Sequence, residues 1–414
     1  MNFIDICSGI GGFRSALEMN GHNCLAFAEI DKYAKQSYRA IYDTEGEDEL
    51  DDITAITDEH FRLYRGQCDI ITGGFPCQAF SIAGNRRGFD DTRGTIFFHI
   101  ARAIKEIQPS YVLLENVKGL FSHDKGRTFG TIIQALDELG YVTEWGLFNS
   151  KYWGVPQNRE RVYILVTRKD KFKGPVLFDL LKQQTEVTTR LIDVLEDEVD
   201  EKFYLSEEKT KKLTININVQ MDNEKSTVPV LTPDRLNKRQ NGRRFKEDGE
   251  PMFTLTSQDR HGIAVREATK QGYALAEQGD SVNVSYPTSK TRRGRVGKQV
   301  AQTLQAGEVN QGVIINPLKD KTYKSWRYEQ NVFNSDGITR SLKASLGGTP
   351  EIINEENKGL KIRKLTPLEC WRLQGFTNEQ FYKAKDSGVS NSQLYKQAGN
   401  SVSVPVVDAI VKCL

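Results

Sequence analysis

Short apolar runs alternate with amphipathic segments over the first 170 residues of the chain. The runs at 3–6, 24–28, 69–72, 111–114 and 162–166 have the length of buried strands. Between them, residues 16–20, 33–41, 95–107 and 131–139 carry apolar side chains at helical spacing. This alternation predicts an α/β domain built on a mainly parallel, doubly wound sheet.

The composition changes after Lys173-Gly174-Pro175, where Asn, Gln, Thr, Gly and basic residues dominate. Residues 1–60 carry four Lys/Arg against thirteen Asp/Glu, whereas residues 232–300 carry fourteen against eight. A basic middle segment favours contact with a polyanion, and an ordinary solvated face is the alternative. We therefore predict a second, smaller domain that is irregular or poor in strands. Helical texture returns at Thr366-Pro367, which resembles an N-cap followed by a first-turn proline.

Several classes of protein are disfavoured by composition. No apolar run approaches the roughly 20 residues that a membrane-spanning helix needs. The first residues lack the basic region of a secretory signal, and the six cysteines form no CxxC pair. We expect a cytoplasmic protein without structural zinc, disulfides or another metal site.

A glycine-rich turn follows the first predicted strand, at Gly9-Ile10-Gly11-Gly12. Glycines at such a turn let the backbone approach a ligand closely. About twenty residues later, Glu29 closes the next strand, where doubly wound folds hold ribose hydroxyls. The pattern predicts a nucleoside cofactor, and a dehydrogenase would also show it.

One cysteine, Cys77, follows the strand and turn at 68–76 and precedes a predicted helix. A helix N-terminus stabilises a thiolate, which suits a nucleophile. The alternative is a small thiol that packs as an apolar side chain.

Two further strand ends carry charged side chains. Glu115 closes an apolar strand, so poor solvation should raise its pKa and suit it to proton transfer; a helix N-cap is the alternative. Arg159 and Arg161 lie on the same side of an extended chain. Such a pair can hold a carbonyl oxygen or a phosphate, and an edge-strand salt bridge is the alternative.

Six blocks of the chain together resemble the DNA (cytosine-5) methyltransferases of bacterial or phage restriction-modification type. They occur in collinear order at 3–13, 74–81, 114–117, 157–161, 363–375 and 397–402. The resemblance implies the doubly wound mixed sheet of S-adenosylmethionine-dependent methyltransferases. It further implies a catalytic and cofactor-binding domain at 1–175, completed by 362–414, and an irregular or β target-recognition domain at 176–361.

The resemblance also implies catalytic roles. Cys77 is expected to add to C6 of a cytosine, after which C5 accepts the methyl group of S-adenosylmethionine. Glu115 would contact N3 and the exocyclic amine, Arg161 would hold O2, and Arg159 would support the loop. The base would be flipped out of duplex DNA.

The cofactor site implied by the resemblance draws on both ends of the chain. Its residues would be Asp5, Cys7, Gly9, Gly11, Gly12, Glu29, Ile30, Asp52, Pro76, Asn400 and Ser401. Glu29 would hold the ribose, and Asp52 would meet the adenine amine. The chain departs from many members at Cys7 and Ile30, where an aromatic residue usually stacks near the adenine.

DNA contacts are expected from the loop after Cys77, where residues 84–89 would form a lid, and from the second domain. The candidates are Gln78, Ser81, Arg86, Arg87, Arg235, Arg239, Arg243, Arg244, Arg260, Arg292, Arg293, Arg295, Ser341 and Leu342. Ser341-Leu342 stands where members usually carry Thr-Leu.

The predicted function is site-specific methylation that protects DNA from a cognate restriction endonuclease. The enzyme would act as a monomer, without a stable complex with that endonuclease. A tRNA cytosine-5 methyltransferase is one alternative, and a DNA-binding protein without turnover is another.

Overall fold

The structure is a computed structural model that describes residues 1–76, 96–185, 188–206, 229–231, 261–304, 311–315, 333–334, 352–353 and 361–414. The chain folds into two compact units. Unit 1 contains residues 1–189, 303–308 and 367–414, and unit 2 contains residues 190–302 and 309–366.

Unit 1 is built on a seven-stranded sheet. Its strands are β1 (Asn2–Ile6), β2 (Asn23–Ala28), β3 (Asp48–Glu49), β4 (Ile70–Gly74), β5 (Tyr111–Val117), β6 (Tyr141–Asn149) and β8 (Glu160–Arg168), and a short strand β7 (Gln157–Asn158) precedes β8. The strand order is β3-β2-β1-β4-β5-β8-β6. In the sheet, the neighbouring strands β3, β2, β1, β4 and β5 pair in parallel. Strand β8 runs antiparallel to both β5 and β6. The predicted doubly wound mixed sheet is confirmed.

Helices connect these strands and complete unit 1. They are α1 (Gly12–Met19), α2 (Lys32–Ile41), α3 (Asp58–Arg62), α4 (Ile96–Ile107), α5 (Arg127–Glu138), α6 (Leu177–Leu181), α7 (Pro367–Arg372), α8 (Asn378–Asp386), α9 (Asn391–Asn400) and α10 (Val404–Val411). The core lies between sheet and helices, where side chains such as Ile4, Ile71, Ile104 and Leu114 are fully buried. Burial of this apolar surface is the main driving force for folding.

The order of the strands places a topological switch point between β1 and β4. The chain leaves β1 towards β2 on one side and leaves β4 towards β5 on the other. In open α/β sheets, ligands bind outside the carboxyl ends of the strands at such a point. The carboxyl ends of β1, β2, β4 and β5 are therefore where a ligand site is expected.

Unit 2 contains small sheets in its described residues, in place of the strand-poor texture expected from its composition. One sheet joins β9 (Pro229–Leu231), β10 (His261–Arg266) and β11 (Tyr273–Glu277). Another joins β12 (Ser281–Asn283), β13 (Val296–Gly297), β15 (Gln311–Ile315) and β18 (Lys361–Lys364). The remaining strands are β14 (Ala301–Gln302) and the parallel pair β16 (Phe333–Asn334) and β17 (Ile352–Ile353).

Helices long and apolar enough to cross a membrane are absent from the described residues.

Candidate active site

A cavity of about 400 Å³ opens at the carboxyl ends of β1, β2, β4 and β5. Helix α9 and the segment after it form another wall, which we call the C-terminal wall. Its lining residues include Lys396, Gln397, Asn400 and Ser401. All lining residues belong to unit 1. The cavity therefore occupies the switch point of the sheet, and both ends of the chain contribute to it.

The turn between β1 and α1 is closely packed. Gly11 has φ +78°, and a Cβ there would lie 2.3 Å from Cε2 of Tyr42. A Cβ at Gly12 would lie 2.7 Å from Cγ2 of Val402 and 2.8 Å from Oγ of Ser401. A side chain at either position would displace its neighbours, so glycine lets the turn pack against α2 and the C-terminal segment.

Glu29 is fixed at the rim of the cavity by backbone donors. The N–H of Gly9 donates to Oε2 at 2.8 Å, and the N–H of Asp31 donates to Oε1 at 2.8 Å. A carboxylate has about four acceptor positions, so these two bonds leave capacity for a ligand's hydroxyl groups.

Asp31 in turn connects α2 with α9. Its carboxylate accepts from the N–H groups of Tyr33 and Ala34 and pairs with Lys396 Nζ at 2.7 Å. Burial opposes ionisation of Asp31, but the bonds from Lys396 and the backbone outweigh it and lower its pKa. The rim that carries Glu29 is thus tied to the C-terminal wall.

Glu115 and Arg161 form an ion pair inside the cavity. Strands β5 and β8 pair antiparallel with Val117 opposite Arg161. Glu115 lies two residues before Val117, so its side chain is on the same face of the sheet as Arg161 and diagonal to it. Arg161 Nε lies 3.0 Å from Glu115 Oε1, and the side chains are 15% and 11% exposed. Burial raises the pKa of Glu115, while the charges of Arg161 and Arg159 oppose the rise. The carboxyl group is accordingly suited to bind a ligand in either protonation state.

Arg159 is buried and anchors the C-terminal wall. Its Nη2 donates to the backbone oxygen of Ser401 at 2.7 Å and to that of Gly399 at 3.2 Å. Burial, followed by repulsion from Arg161, lowers the pKa of Arg159 to about 10. Arg159 therefore contacts the C-terminal wall, whereas Arg161 is the cation that pairs with Glu115.

Ten of the predicted site residues line the cavity: Cys7, Gly9, Gly12, Glu29, Pro76, Glu115, Arg159, Arg161, Asn400 and Ser401. Four predicted cofactor residues do not line it: Asp5, Gly11, Ile30 and Asp52.

Those four residues have other surroundings. Asp5 is fully buried below the site, accepts the Thr72 hydroxyl at 2.9 Å, and has its pKa raised to about 8 by burial. Asp52 is exposed and accepts the N–H of Thr54 at 2.9 Å. Ile30 is 72% exposed. Gly11 faces Tyr42, so its influence on the site is through the shape of the turn.

Ten predicted residues lie outside the described part of the chain: Cys77, Gln78, Ser81, Arg86, Arg87, Arg243, Arg244, Arg260, Ser341 and Leu342. The predicted 84–89 lid, Arg235 and Arg239 lie outside it too. Arg293 is exposed. Arg295, also a candidate for DNA contact, is instead fully buried and bonded to backbone oxygens, so its guanidinium is not available to DNA.

The structure adds residues that the sequence did not single out. Asn116 Nδ2 donates to the backbone oxygen of Phe75 at 2.8 Å, which fixes the chain just before Pro76 and Cys77. The Thr303 hydroxyl donates to the backbone oxygen of Asn158 at 2.8 Å, beside Arg159. Both contacts join residues far apart in sequence, so no local sequence pattern reveals them. The signal available in the sequence was that Asn116 follows Glu115 and that Asn158 precedes Arg159.

Comparison with known proteins shows the family of the chain. The family model described as C-5 cytosine-specific DNA methylase matches residues 1–414. "Orphan methyltransferase M.SPRI" of Bacillus phage SPR is 35% identical, covering 100% of this chain and 97% of the relative. "Type II methyltransferase M.SsoII" of Shigella sonnei is 32% identical, covering 99% and 78%.

Solved structures share the fold. The S. pombe Dnmt2 methyltransferase matches with a TM-score of 0.54 and 18% identity, covering 100% of this chain and 97% of that chain. A DNA modification methyltransferase encoded within an E. coli prophage, described as putative in its name, matches with a TM-score of 0.53 and 19% identity, covering 100% and 98%. Because the family model spans the whole chain, the chain belongs to the C-5 cytosine-specific DNA methylases and is a DNA (cytosine-5) methyltransferase.

Proposed function

We propose that this enzyme methylates C5 of a cytosine flipped out of duplex DNA, at a specific sequence, through a covalent bond between Cys77 and C6. The observation that carries the proposal is the buried Glu115–Arg161 pair, which lies in the same cavity as Glu29 and Pro76. A base-binding pair and a ribose-binding carboxylate in one cavity suit a reaction between a nucleobase and a nucleoside cofactor.

The family and fold imply S-adenosylmethionine as the methyl donor, and the cavity suits that molecule. Glu29 retains acceptor capacity for the two ribose hydroxyls, because among the described residues its oxygens accept from two backbone N–H groups. No atom of the described residues lies within 4 Å of where a Cβ of Gly9 would stand, so a ligand can approach its backbone. In this proposal Cys7, Gly12, Asn400 and Ser401 complete the wall, Asp5 and Gly11 hold its shape from behind, and Ile30 and Asp52 contact the adenine at the open rim. When bound, S-adenosylmethionine supplies the methyl group.

The protein residues act on the cytosine ring. The Cys77 thiolate forms a bond to C6, and the electron pair of the C5=C6 bond moves to C5, which becomes nucleophilic. Glu115 binds N3 and the exocyclic amine, so a proton held there compensates the charge that develops on the ring. Arg161 donates to O2. After C5 has received the methyl group, a water molecule takes the C5 proton and the electron pair of the C5–H bond reforms the C5=C6 bond. The C6–S bond breaks as the Cys77 thiolate leaves, and the proton at N3 returns to Glu115.

Arg159 and Asn116 position this machinery. Arg159 holds the C-terminal wall through two backbone oxygens, and Asn116 holds the chain two residues before Cys77. Flipping the cytosine costs a few kcal/mol, which contacts to the extruded base and to the DNA must offset.

We further propose that residues 1–175 and 362–414 carry catalysis and cofactor binding, and that residues 176–361 recognise the target sequence. The enzyme would act as a monomer in the cytoplasm and protect DNA from a cognate restriction endonuclease without a stable complex. The type II methyltransferase name of the Shigella relative supports the restriction-system setting.

Purified protein and radiolabelled S-adenosylmethionine test the reaction. Label should enter duplex DNA, remain absent from tRNA, and disappear with Cys77→Ala, while that variant still binds the cofactor. Bisulfite sequencing of DNA from expressing cells should report one methylated sequence. Label in tRNA alone, or binding of DNA without transfer, would contradict the proposal.

A further inference from the structure

The turn between β1 and α1 rests on a tyrosine at the end of α2. Tyr42 follows the last residue of α2, and its backbone N–H donates to the oxygen of Tyr38 at 3.0 Å. Its hydroxyl lies 2.7 Å from the backbone oxygen of Gly11 and 3.4 Å from that of Ile10. Tyr42 is buried and does not line the cavity, so it can act on the site only through the turn.

A chain of hydrogen bonds reaches the Gly11 carbonyl from helix α8. Gln380 Nε2 donates to Ser15 Oγ at 2.9 Å, and Ser15 Oγ lies 2.6 Å from the Tyr42 hydroxyl. The amide of Gln380 is oriented by its other end, because Oε1 accepts the N–H of Thr377 at 3.0 Å. The chain therefore connects α8, α1 and the end of α2 with the turn.

The chemistry of its two ends sets the direction of this chain. An amide nitrogen only donates, and a carbonyl oxygen only accepts. The bond to Gly11 uses the one proton of the Tyr42 hydroxyl, so Ser15 supplies the proton between Ser15 and Tyr42. Burial raises the pKa of Tyr42, so the hydroxyl keeps the proton that it donates. Hydrogen bonds in series polarise one another, which strengthens the bond to the turn.

Arg14 holds the ring of Tyr42 in place. Its guanidinium carbon lies 4.5 Å from the ring centroid, and cations are attracted to the face of an aromatic ring. Nη1 and Nη2 of Arg14 pair with the two oxygens of Glu47 at 2.7 and 2.8 Å, and Nη2 also donates to the backbone oxygen of Asp43 at 2.8 Å. A bidentate pair fixes the direction of the guanidinium. The Tyr42 hydroxyl thus has a defined position beneath the turn.

The turn that Tyr42 supports fixes a residue of the cavity. The N–H of Gly11 donates to the oxygen of Ser8 at 2.8 Å, which closes the turn. Within it, the N–H of Gly9 donates to Glu29 Oε2 at 2.8 Å. Ser8, Gly9 and Glu29 line the cavity. A displacement of Gly11 would therefore move the donor that orients Glu29.

We propose that Tyr42 and Ser15 are positioning residues for the cofactor, which hold the turn at 8–11, and with it Glu29, in the geometry that binds the ribose of S-adenosylmethionine. They act through the protein, because neither lines the cavity. The inference rests on the proposed function, since it takes Glu29 as the group that binds the ribose.

Calorimetric binding of S-adenosylmethionine in the absence of DNA tests the role of Tyr42. Tyr42→Phe keeps the ring and removes the hydroxyl, so Kd should rise about 5- to 10-fold, as expected for one lost hydrogen bond. The matched control is Tyr64→Phe. Tyr64 is as buried as Tyr42 and donates its hydroxyl to Asp48 Oδ2 at 2.5 Å, away from the turn. This control should lower the stability in urea and leave Kd unchanged.

Gln380→Glu tests the direction of the chain. A carboxylate at position 380 only accepts, so Ser15 would donate to it and no longer to Tyr42, and the Tyr42 proton would be divided between Ser15 and Gly11. Kd should rise about threefold. Position 380 is the third of α8, where glutamate suits a capping box. A merely structural role of Gln380 therefore predicts unchanged stability and unchanged Kd.

A double variant shows whether Tyr42 acts through Glu29. In a Glu29→Gln background, Tyr42→Phe should change Kd by less than about twofold, because the carboxylate that it positions is absent. A general loosening of the protein would leave the full effect. An unchanged Kd in Tyr42→Phe, or the full effect in the Glu29→Gln background, would overturn the proposal.

Two outcomes are kept apart from these. If Tyr42→Phe does not fold, Gln380→Glu and Ser15→Ala decide the case, and a Kd equal to that of the wild type in both would overturn the proposal. A wild type that binds no S-adenosylmethionine, or a Glu29→Gln variant that binds it as tightly as the wild type, would overturn the proposed function instead.

Discussion

Replacing Arg161 with Met should leave the Glu115 carboxylate buried without its ion-pair partner. The side chains are 15% and 11% exposed, and the Nε–Oε1 distance is 3.0 Å. Removing one partner of a buried pair costs about 3–5 kcal/mol, because the remaining charge loses its compensation. We expect the free energy of unfolding in urea at pH 7 to fall by that amount, and methyl transfer to be lost.

The matched control is Lys118→Met. Lys118 Nζ lies 2.9 Å from Glu160 Oε2, at a distance like that of the buried pair, but the side chains are 59% and 42% exposed. Exposed pairs contribute at most about 1 kcal/mol. The comparison separates burial from distance as the source of the effect.

Two further results complete the test. Glu115→Gln in the Arg161→Met background should restore most of the lost stability but none of the activity, because it removes the buried charge itself. The pKa of Glu115 in the folded protein already lies above its unfolded value of 4.5, so protonation of Glu115 favours the folded state. The stability that this protonation contributes is lost as the pH rises through the folded pKa. Losing Arg161 raises that pKa further, so the cost of Arg161→Met should shrink as pH falls from 7 to 5. A cost no larger than that of Lys118→Met, or no recovery in the double variant, would refute the reasoning.

Further predictions concern the cavity wall and its support. Gly11→Ala should lower the free energy of unfolding in urea by about 2–5 kcal/mol, because left-handed backbone strain of about 1–2 kcal/mol adds to a clash with Tyr42 of about 1–3 kcal/mol. Gly9→Ala should cost only the strain, because no described atom lies within 4 Å of its Cβ position. Equal costs would contradict the packing of the turn. Glu29→Gln should weaken S-adenosylmethionine binding about 10- to 100-fold in calorimetry, as expected for loss of charge-assisted hydrogen bonds; an unchanged affinity would remove Glu29 from the site. The pKa of Asp5 is about 8 in the folded protein and 3.8 in the unfolded chain, so this carboxyl group loses its stabilising proton as the pH rises. The free energy of unfolding should therefore decline by about 3 kcal/mol between pH 5 and 7, and Asp5→Asn should remove that decline. Parallel pH profiles of variant and wild type would contradict the buried protonated carboxyl.

Apolar runs located the central strands of the sheet because those strands are buried on both faces. Strand β6 was not predicted, since it lies at the edge of the sheet and its side chains are mostly half-buried. Helix α1 begins at Gly12, four residues before the predicted start, because Gly12 has no apolar side chain to mark it although it belongs to the first turn.

The residues of the site also fall into those that a local sequence pattern predicts and those that it does not. Glu29 and Glu115 were predicted because a carboxylate that closes an apolar strand is visible in sequence. Asn116 and Lys396 act through contacts across 41 and 365 residues, which no local pattern reveals. Asp5 lies inside β1, and alternation along a strand does not tell which face meets a ligand.

The central claim is a covalent bond between Cys77 and C6 of cytosine, and trapping tests it most directly. A duplex with 5-fluorocytosine at the methylated position is incubated with the protein and S-adenosylmethionine, then denatured and resolved by electrophoresis. Fluorine at C5 does not leave as a proton does, so the thiolate should remain bound to C6. Wild type should give a denaturant-resistant protein–DNA complex, and Cys77→Ala should give none. An active wild type without the complex, or a complex with Cys77→Ala, would contradict the account.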